Sequence, residues 1–397
     1  MRIVLETIGK NHSFELARQL HQHQALVAIF TGYPKFKLKN EQLPPVVIRS
    51  FPWIQTLYMA RGRIGLDNEW ISRGLAWWSN YTLDAYVASH LPQGDVFMAL
   101  SNTGLNAGIK AKQKGMVYVC DRGCSHIRYQ DTILREEHQI QGIPFSGIDP
   151  RIINREEAEY AAADAITVPS SFSKRSFIEM GVPEKKIYTV PYGVELARFH
   201  PTGEPDPHRF DVLFVGGASL RKGIPYLLEG IARLKHPNKH LHIVGVISRD
   251  IQPIIKKYSN EISVVSAGHC PQTRLKDIMS RSHVLALPSV EDGFGLVMAE
   301  AMACGCPVIA TMNTGAVDLY EDGVEGFIVP IRDSGALTAR MQELADSPER
   351  RQAMSKACLR RVALLGGWDT YGDGMMTLFR RLKTPTDGAK SANLIST

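Results

Sequence analysis

Two acidic residues, Asp292 and Glu300, stand eight positions apart around a glycine-containing turn and the start of a predicted helix. The apolar segment Val284–Leu287 precedes the turn as a predicted strand, and the helix is predicted to begin near Leu296 and to end at Gly305. Free amides at a helix start favour an anion such as phosphate, and each carboxylate oxygen can accept two hydrogen bonds from sugar or ribose hydroxyls. The spacing therefore predicts a turn that binds a phosphate-bearing, hydroxyl-rich ligand, with an ordinary strand–helix junction as the alternative.

A second glycine-bearing turn places two cations after another predicted strand, Asp211–Val215. Gly216 and Gly217 end the strand, and Arg221 and Lys222 follow just before a predicted helix. Arginine offers bidentate geometry and lysine a point charge, so the pair could neutralise a diphosphate. Two solvated cations are the alternative, although cations near a helix N-terminus oppose the helix dipole.

Three histidines in turns are further candidates, because histidine can hydrogen-bond a sugar hydroxyl and tolerate developing charge. His126 follows the predicted strand Val117–Cys120, His12 lies in the first glycine turn of the chain, and His269 follows Gly268. A histidine with a purely structural role is the alternative for each of them.

Short apolar or β-branched segments alternate with helical patterns along most of the chain. Met1–Thr7 is a predicted strand before a helix that begins at Phe14 with Ser13 as its N-cap, and a helix around Tyr226–Leu234 follows the second turn. The remaining predicted strands are Val117–Cys120, Ala165–Val168, Ile187–Val190, Leu241–Val244, Ile262–Val265, Val284–Leu287 and Val308–Ala310. The alternation predicts an α/β protein built on parallel sheets with helices on both faces, and ligands bind such sheets beyond the carboxyl ends of the strands.

The domain boundary is predicted in the segment His200–Pro207, because three prolines and a glycine in eight residues sustain neither helix nor sheet. It divides the chain into an N-terminal Rossmann-like domain, residues 1–203, and a C-terminal Rossmann-like domain, residues 204–365. Residues 366–397 follow, and their polar tail from Thr384 is predicted to fray.

Composition excludes several classes of protein. With 44% hydrophobic and 22% charged residues, the 397-residue chain is not a long disordered protein, and its longest apolar runs, such as Ala25–Phe30, are too short to span a membrane. Six cysteines in this length do not indicate a disulfide framework, and Cys120/Cys124 and Cys304/Cys306 lack a second ligand pair with zinc-like spacing. Neither a P-loop nor a nucleophile elbow occurs. Since no signal peptide is visible, we expect a cytoplasmic location, and we expect no metal.

The segment from Thr31 to Arg63 is basic and aromatic, although the net charge of the whole chain, +6, does not indicate nucleic-acid binding. It contains six basic residues and one acid, Glu41. The basic residues are Lys35, Lys37, Lys39, Arg49, Arg61 and Arg63, and the aromatic residues are Tyr33, Phe36, Phe51, Trp53 and Tyr58. A solvated loop edge is one interpretation, and a surface for an anionic acceptor or for membrane headgroups is the other.

From Gly268 to Gly326 the sequence resembles the C-terminal domain of retaining glycosyltransferases of family GT4, which have the GT-B fold. The match consists of Asp292-Gly293-Phe294-Gly295-Leu296, then Glu300, then the run Ala301–Ala310, in the acid-x7-acid order of that family. Upstream, Gly216–Gly223 resembles the family's diphosphate-binding segment, and Ala163–Ser170 and Ile187–Val194 resemble the end of its N-terminal domain.

The resemblance implies roles for the candidate residues. Arg221 and Lys222 would hold the diphosphate, Asp292 the donor sugar and Glu300 the nucleotide ribose, while His126 would face the transferred sugar. Of these residues, catalytic weight is assigned to His126, Asp292, Arg221 and Lys222. The other donor-binding positions are Gly216, Gly217, His269, Gly293, Phe294, Gly295 and Leu296, and at His269 the backbone is expected to matter more than the imidazole. Asp292 departs from the glutamate usual in the family by one methylene, which bears on the choice of donor sugar.

The resemblance also implies an architecture and an activity. In the GT-B fold two Rossmann-like domains face each other across a cleft, and a C-terminal helix, here around Trp368–Leu382, crosses back to the first domain. The activity would be transfer of a hexose, with retention and without metal or cofactor, from a nucleotide diphosphate sugar to a hydroxyl of a glycan, a lipid-linked acceptor or a polysaccharide precursor. Peripheral contact with the inner face of a membrane is a further expectation, and nucleic acid is not expected as a partner. A nucleotide-sugar-binding protein without activity, or a GT-B enzyme of another reaction such as an epimerase, is the alternative.

Overall fold

The computed structural model describes residues 1–62, 64–66, 68–268 and 270–384. Within these ranges strands and helices alternate along the chain, and the described strand pairs are parallel. The described part of the chain contains no helix with the length and apolar character needed to cross a bilayer. The predicted α/β class with parallel sheets is confirmed.

The first sheet uses the strands of the N-terminal half. They are β1 (Ile3–Thr7), β2 (Leu26–Thr31), β3 (Ile48–Ser50), β4 (Val96–Leu100), β5 (Val117–Asp121), β6 (Ala165–Val168) and β7 (Ile187–Thr189). Their order is β3-β2-β1-β4-β5-β6-β7. The central strand β1 pairs with β2 and β4 and is buried along its whole length. Strands that are buried on both faces usually have a continuous apolar sequence, and the buried acid Glu6 is an exception within β1.

The helices of the same half are α1 (His12–Gln22), α2 (Trp53–Ala60), α3 (Glu69–His90), α4 (Leu105–Gln113), α5 (Ile127–Ile140), α6 (Pro150–Ala162) and α7 (Ser171–Glu179). Helix α1 begins earlier than predicted. Its N-cap is Asn11, whose side chain accepts a hydrogen bond from the backbone amide of Ser13, so the prediction of Ser13 as the cap is wrong. Both residue types favour caps, and the apolar spacing of a helix does not fix its first residue.

The second sheet uses the strands of the C-terminal half. They are β8 (Phe210–Val215), β9 (Lys239–Val244), β10 (Ser263–Gly268), β11 (Val284–Leu287), β12 (Val308–Thr311) and β13 (Gly326–Val329), in the order β10-β9-β8-β11-β12-β13. The helices of this half are α8 (Ile224–Arg233), α9 (Gln252–Lys257), α10 (Gln272–Arg281), α11 (Leu296–Ala303), α12 (Ala316–Leu319), α13 (Ser334–Asp346), α14 (Pro348–Leu365) and α15 (Trp368–Lys383). Strands β8, β11 and β12 are buried throughout and form the centre of the core.

The chain divides into two compact units, each built from more than one segment of the sequence. Unit 1 comprises Met1–Asp121, Pro150–Ile166 and the chain from Tyr371 on, and unit 2 comprises Arg122–Asp149 and Thr167–Thr370. Helices α5 and α7 therefore group with the C-terminal half, because their side chains bond to its loops, as Glu137 does to Arg332. The predicted limits at residues 203 and 365 stay a prediction.

Helix α15 joins unit 1 from Tyr371 on, and it packs against α1 within that unit. His23 Nε2 lies 2.9 Å from Asp373 Oδ1, and a Cβ built on Gly372 would lie 2.4 Å from the Cβ of Gln19. The small residue at position 372 therefore allows the two helices to approach closely.

Candidate active site

The two predicted turns lie side by side, because the strands that precede them are neighbours. In unit 2, β8 and β11 pair in parallel, and both end at the same edge of the sheet. The turn after β11 is bonded to the turn after β8 through the backbone amide of Val290, which donates to the Arg221 carbonyl at 2.9 Å. Gly223 lies against this junction: a Cβ there would be 1.9 Å from the Pro288 carbonyl oxygen. The structure thus brings the cationic turn and the acidic turn together.

The side chains of these turns form two parallel ion pairs. Arg221 Nη1 lies 2.9 Å from Glu291 Oε2, and Lys222 Nζ bonds to Asp292 Oδ2. Consecutive cations therefore meet consecutive acids across the two turns. Lys222 and Asp292 keep part of their surface exposed, whereas Glu291 is completely buried.

Glu291 holds this arrangement together, although no role was predicted for it from the sequence. Its carboxylate accepts hydrogen bonds from the backbone and hydroxyl of Ser125, from Gln130 Nε2 and from Arg221. Burial raises the pKa of Glu291, but Arg221 and these hydrogen bonds outweigh burial and lower that pKa to about 2. Burial likewise lowers the pKa of Arg221, and Glu291 more than compensates, so the net pKa of the guanidinium is raised.

Two positions of the acidic turn require glycine, each for a different physical reason. Gly295 has φ +76° and is the N-cap of α11, a left-handed conformation that favours glycine. Gly293 is required by a close approach of two backbone segments, since a Cβ there would lie 2.0 Å from the Gly123 carbonyl oxygen. The Gly293 carbonyl accepts hydrogen bonds from the hydroxyls of Ser170 and Ser173, at 2.5 and 3.2 Å.

The remaining positions around these turns divide between core and surface. Phe294 is buried and packs edge-to-face on Tyr192 with ring centroids 5.3 Å apart, so its side chain belongs to the core. Leu296 is half-buried at the first position of α11. Gly216 follows β8 with φ +136°, and a Cβ on Gly217 would meet nothing within 4 Å, so Gly217 leaves open space at the end of the strand.

Glu300 lies on α11 and is half-buried, and it does not take part in the two ion pairs of the turns. Burial raises its pKa to about 7, and the nearby Arg198 offsets only part of that effect. The carboxyl is therefore a hydrogen-bond donor or acceptor whose state changes near neutral pH.

His126 is the N-cap of α5 and is buried in unit 2. Its Nδ1 accepts from the Arg128 amide at 3.2 Å, its own backbone amide donates to Ser176 Oγ at 2.9 Å, and its ring packs edge-to-face on Phe177. Because Nδ1 is an acceptor, the neutral ring carries its proton on Nε2. The cap gives His126 a structural role, and its contact with the transferred sugar stays a prediction.

Of the other two candidate histidines, one lies in unit 1 and one lies outside the described residues. His12 belongs to unit 1, where its Nε2 lies 2.5 Å from Asp121 Oδ2. His269 lies outside the described residues. Among the described residues, no group of three or more His, Cys, Asp and Glu side chains is arranged to hold a metal ion.

Comparison with known proteins identifies the part of the chain that carries the two turns. Residues 198–361 match the family model described as glycosyl transferases group 1. This segment is similar to the group 1 glycosyltransferases. It contains both ion pairs, both glycine turns and Glu300, and the resemblance predicted from the sequence is confirmed.

The chain has similar relatives of known name. It is 28% identical over 254 residues to D-inositol 3-phosphate glycosyltransferase 1 of Catenulispora acidiphila, covering 58% of this chain and 60% of that protein. It is 28% identical over 177 residues to the putative colanic acid biosynthesis glycosyltransferase WcaL of Salmonella typhimurium, covering 42% of this chain and 44% of that protein. The match thus spans less than two thirds of the length of either relative.

Solved structures extend the likeness to the whole fold. Sucrose-phosphate synthase from Thermosynechococcus elongatus superposes with a TM-score of 0.71 at 21% identity, over 96% of this chain and 99% of that one. HepE of Anabaena, solved in complex with UDP and glucose, superposes with a TM-score of 0.70 at 17% identity, over 96% and 100%. These neighbours are GT-B glycosyltransferases, so the predicted GT-B fold is confirmed.

Proposed function

We propose that the protein is a retaining glycosyltransferase that moves a hexose from a nucleotide diphosphate sugar to an acceptor hydroxyl. The observation that supports this proposal is the position of two cations, Arg221 and Lys222. They lie at the edge of the sheet where β8 and β11 end, beside the start of α11. In open parallel sheets this edge is where nucleotides bind, and two cations with a helix start match a diphosphate.

Arg221 is arranged to bind phosphate while it neutralises Glu291. The guanidinium has five N–H groups, and the bond to Glu291 Oε2 comes from Nη1. One third of the Arg221 side chain remains exposed, so further N–H groups are available to a ligand. Glu291 thus fixes the direction of the guanidinium before the donor arrives, which reduces the ordering needed on binding.

Lys222 and Asp292 supply the two remaining contacts of the proposed donor site. Diphosphate oxygens would attract the Lys222 ammonium, which releases the Asp292 carboxylate to accept hydrogen bonds from sugar hydroxyls. Asp292 is one methylene shorter than the glutamate usual at this place, and its backbone amide is held by the Asn313 carbonyl at 3.0 Å. The Glu300 carboxyl is assigned to the ribose hydroxyls.

The mechanism uses these groups to stabilise the leaving nucleotide diphosphate. As the glycosidic bond breaks, negative charge grows on the phosphate oxygen, and Arg221, Lys222 and the amides at the start of α11 stabilise it. The acceptor oxygen forms its bond on the face from which the diphosphate departs, and the leaving phosphate oxygen takes the acceptor proton. No metal ion is needed in this scheme, since the two cations and the helix start supply the positive charge.

The named neighbours suggest which substrates to test first. HepE was solved with UDP and with UDP-glucose, which makes UDP-glucose the first donor to test. The relatives named for inositol phosphate and colanic acid make polyol phosphates and glycans the first acceptors.

The decisive test is incubation of the full chain with radiolabelled UDP-sugars and a lipid or glycan extract. The proposal expects labelled product whose new bond keeps the anomeric configuration of the donor, as read by NMR. Donor binding without turnover would favour the nucleotide-sugar-binding protein, and interconverted sugars without transfer would favour the epimerase. A product with inverted configuration would keep the transfer and refute retention.

A further inference from the structure

We propose that unit 1 carries a docking surface for an anionic lipid bilayer, separate from the donor site. The surface consists of the short 3₁₀ helix Lys35–Leu38, helix α2 and the first half of helix α3, residues 69–81. We call it the aromatic–basic surface.

The exposed aromatic residues of the protein are concentrated on this surface. The five most exposed aromatic side chains of the described chain all belong to it, and they are Phe36 (68%), Trp53 (73%), Trp70 (82%), Trp78 (53%) and Tyr81 (40%). Four of the five tryptophans in the whole sequence lie between Trp53 and Trp78. Large exposed apolar clusters mark interaction sites, and tryptophan is enriched where one end of the ring is apolar and the other meets water.

Helix α2 and the first half of helix α3 contain no fully buried apolar side chain. Helix α2 buries only Gln55, while its Leu57 and Met59 are exposed. In helix α3 the buried residues begin at Ser79, so its first ten residues, 69–78, bury none. An apolar face of this kind gains free energy when another apolar medium covers it.

The charges of the surface favour an anionic partner. Lys35, Lys37 and Lys39 are exposed, and within the described ranges none of them pairs with a carboxylate. Glu41, the acid of this segment, is buried and neutralised by Lys10 and Arg18, so it does not offset these lysines. Leu38 is buried and fixes the 3₁₀ helix, which directs Phe36 outward between two lysines.

An anionic bilayer satisfies both properties of the surface at once. Its headgroups attract the lysines, and the boundary of its acyl region accepts the tryptophans and Phe36. A second copy of the chain fits less well, because a two-fold interface would bring the same unpaired lysines of both copies together.

The test is sedimentation of the full chain with sucrose-loaded vesicles of 70% phosphatidylcholine and 30% phosphatidylglycerol. We expect binding to these vesicles, little binding to pure phosphatidylcholine, and release as salt rises from about 0.05 M to 0.5 M. Tryptophan emission should shift to shorter wavelength on binding, and brominated acyl chains should quench it.

Two variants and two matched controls separate charge from apolar contact. K35Q/K37Q/K39Q should lower vesicle partitioning about a hundredfold, since each lysine near an anionic surface contributes roughly fivefold. K110Q/K185Q/K256Q, three exposed lysines elsewhere, should lower it less than tenfold. F36S/W53S/W70S should abolish the emission shift, whereas L364S, at another exposed apolar residue, should keep it.

Equal partitioning of all four variants, or equal binding to neutral vesicles, would overturn the proposal. A doubled mass in light scattering that F36S/W53S/W70S reduces to one chain, without vesicle binding by the wild type, would assign the surface to self-association instead. Donor binding is measured in parallel without lipid, so a failure of the proposed function stays distinguishable from a failure of the docking surface.

Discussion

Arg221 neutralises the buried Glu291 and is proposed to bind phosphate, and its replacement by alanine tests both roles. The bond from Arg221 to Glu291 compensates a carboxylate that is completely buried. Removing one partner of such a pair leaves an uncompensated buried charge, so R221A should lower the free energy of unfolding at pH 7 by about 3–5 kcal/mol. R233A, which breaks the exposed pair with Glu229, should lower it by less than about 1 kcal/mol.

The pH dependence provides a second, signed test of the same pair. In the wild type the pKa of Glu291 is about 2, below its unfolded value, so this group stabilises the fold above about pH 4.5 and loses that effect as pH falls toward 2. In R221A the guanidinium no longer offsets the effect of burial. The pKa of Glu291 in the folded variant should therefore rise above its pKa in the unfolded chain. The stability of R221A relative to the wild type should therefore rise as pH falls from 7 to about 4.5, because the Glu291 contribution of the wild type stays nearly constant in this range.

Urea denaturation followed by circular dichroism at pH 5, 6 and 7 measures both effects. The double variant R221A/E291Q removes the buried charge, so its stability should return to within about 1 kcal/mol of E291Q alone. Its affinity for UDP should remain as low as that of R221A, because the phosphate contact is still missing. An R221A protein as stable as R233A at pH 7, or a double variant no more stable than R221A, would show that Arg221 does not compensate a buried Glu291 charge.

Three further predictions concern the neighbouring groups. H126A should lose both the α5 cap, which contributes about 0.5–2 kcal/mol, and turnover, whereas H126N should keep the cap and still lose turnover; full activity in H126N would remove His126 from the site. The folded-state pKa of Glu300, about 7, lies above its unfolded value, so the wild type should lose stability as pH rises from about 4.5 to 7, and E300Q should exceed it by about 1–3 kcal/mol at pH 8; equal unfolding curves at pH 8 would contradict the desolvated carboxyl. Addition of EDTA should leave the transfer rate intact, and a strong loss restored by Mg²⁺ would contradict the metal-independent scheme.

The strands that lead to the site were predictable, because a strand buried on both faces of its sheet has a continuous apolar sequence. Val284–Leu287 and Ala165–Val168 have the predicted bounds. The strands β2, β3, β4 and β13 were not predicted, and short apolar runs such as Val96–Leu100 do not by themselves distinguish strand from buried helix.

The sequence could not show which charged residues of the site pair with one another. Glu291 and Asp292 are adjacent acids, and nothing in their order indicates which one is buried against Arg221. The hydrogen bond from the Ser125 amide to Glu291 joins residues 166 positions apart, so only the fold reveals it. Gly293 is a predicted donor-binding position, and only the structure shows that the close approach of the Gly123 backbone requires a glycine there.

Calorimetric titration of UDP in the presence of EDTA measures whether Arg221 and Lys222 bind a diphosphate. We expect K222Q and R221A/E291Q each to bind UDP about 10- to 150-fold more weakly than the wild type, while the surface control K256Q binds it equally well. Wild-type affinity for UDP in both site variants would contradict diphosphate binding by these two residues.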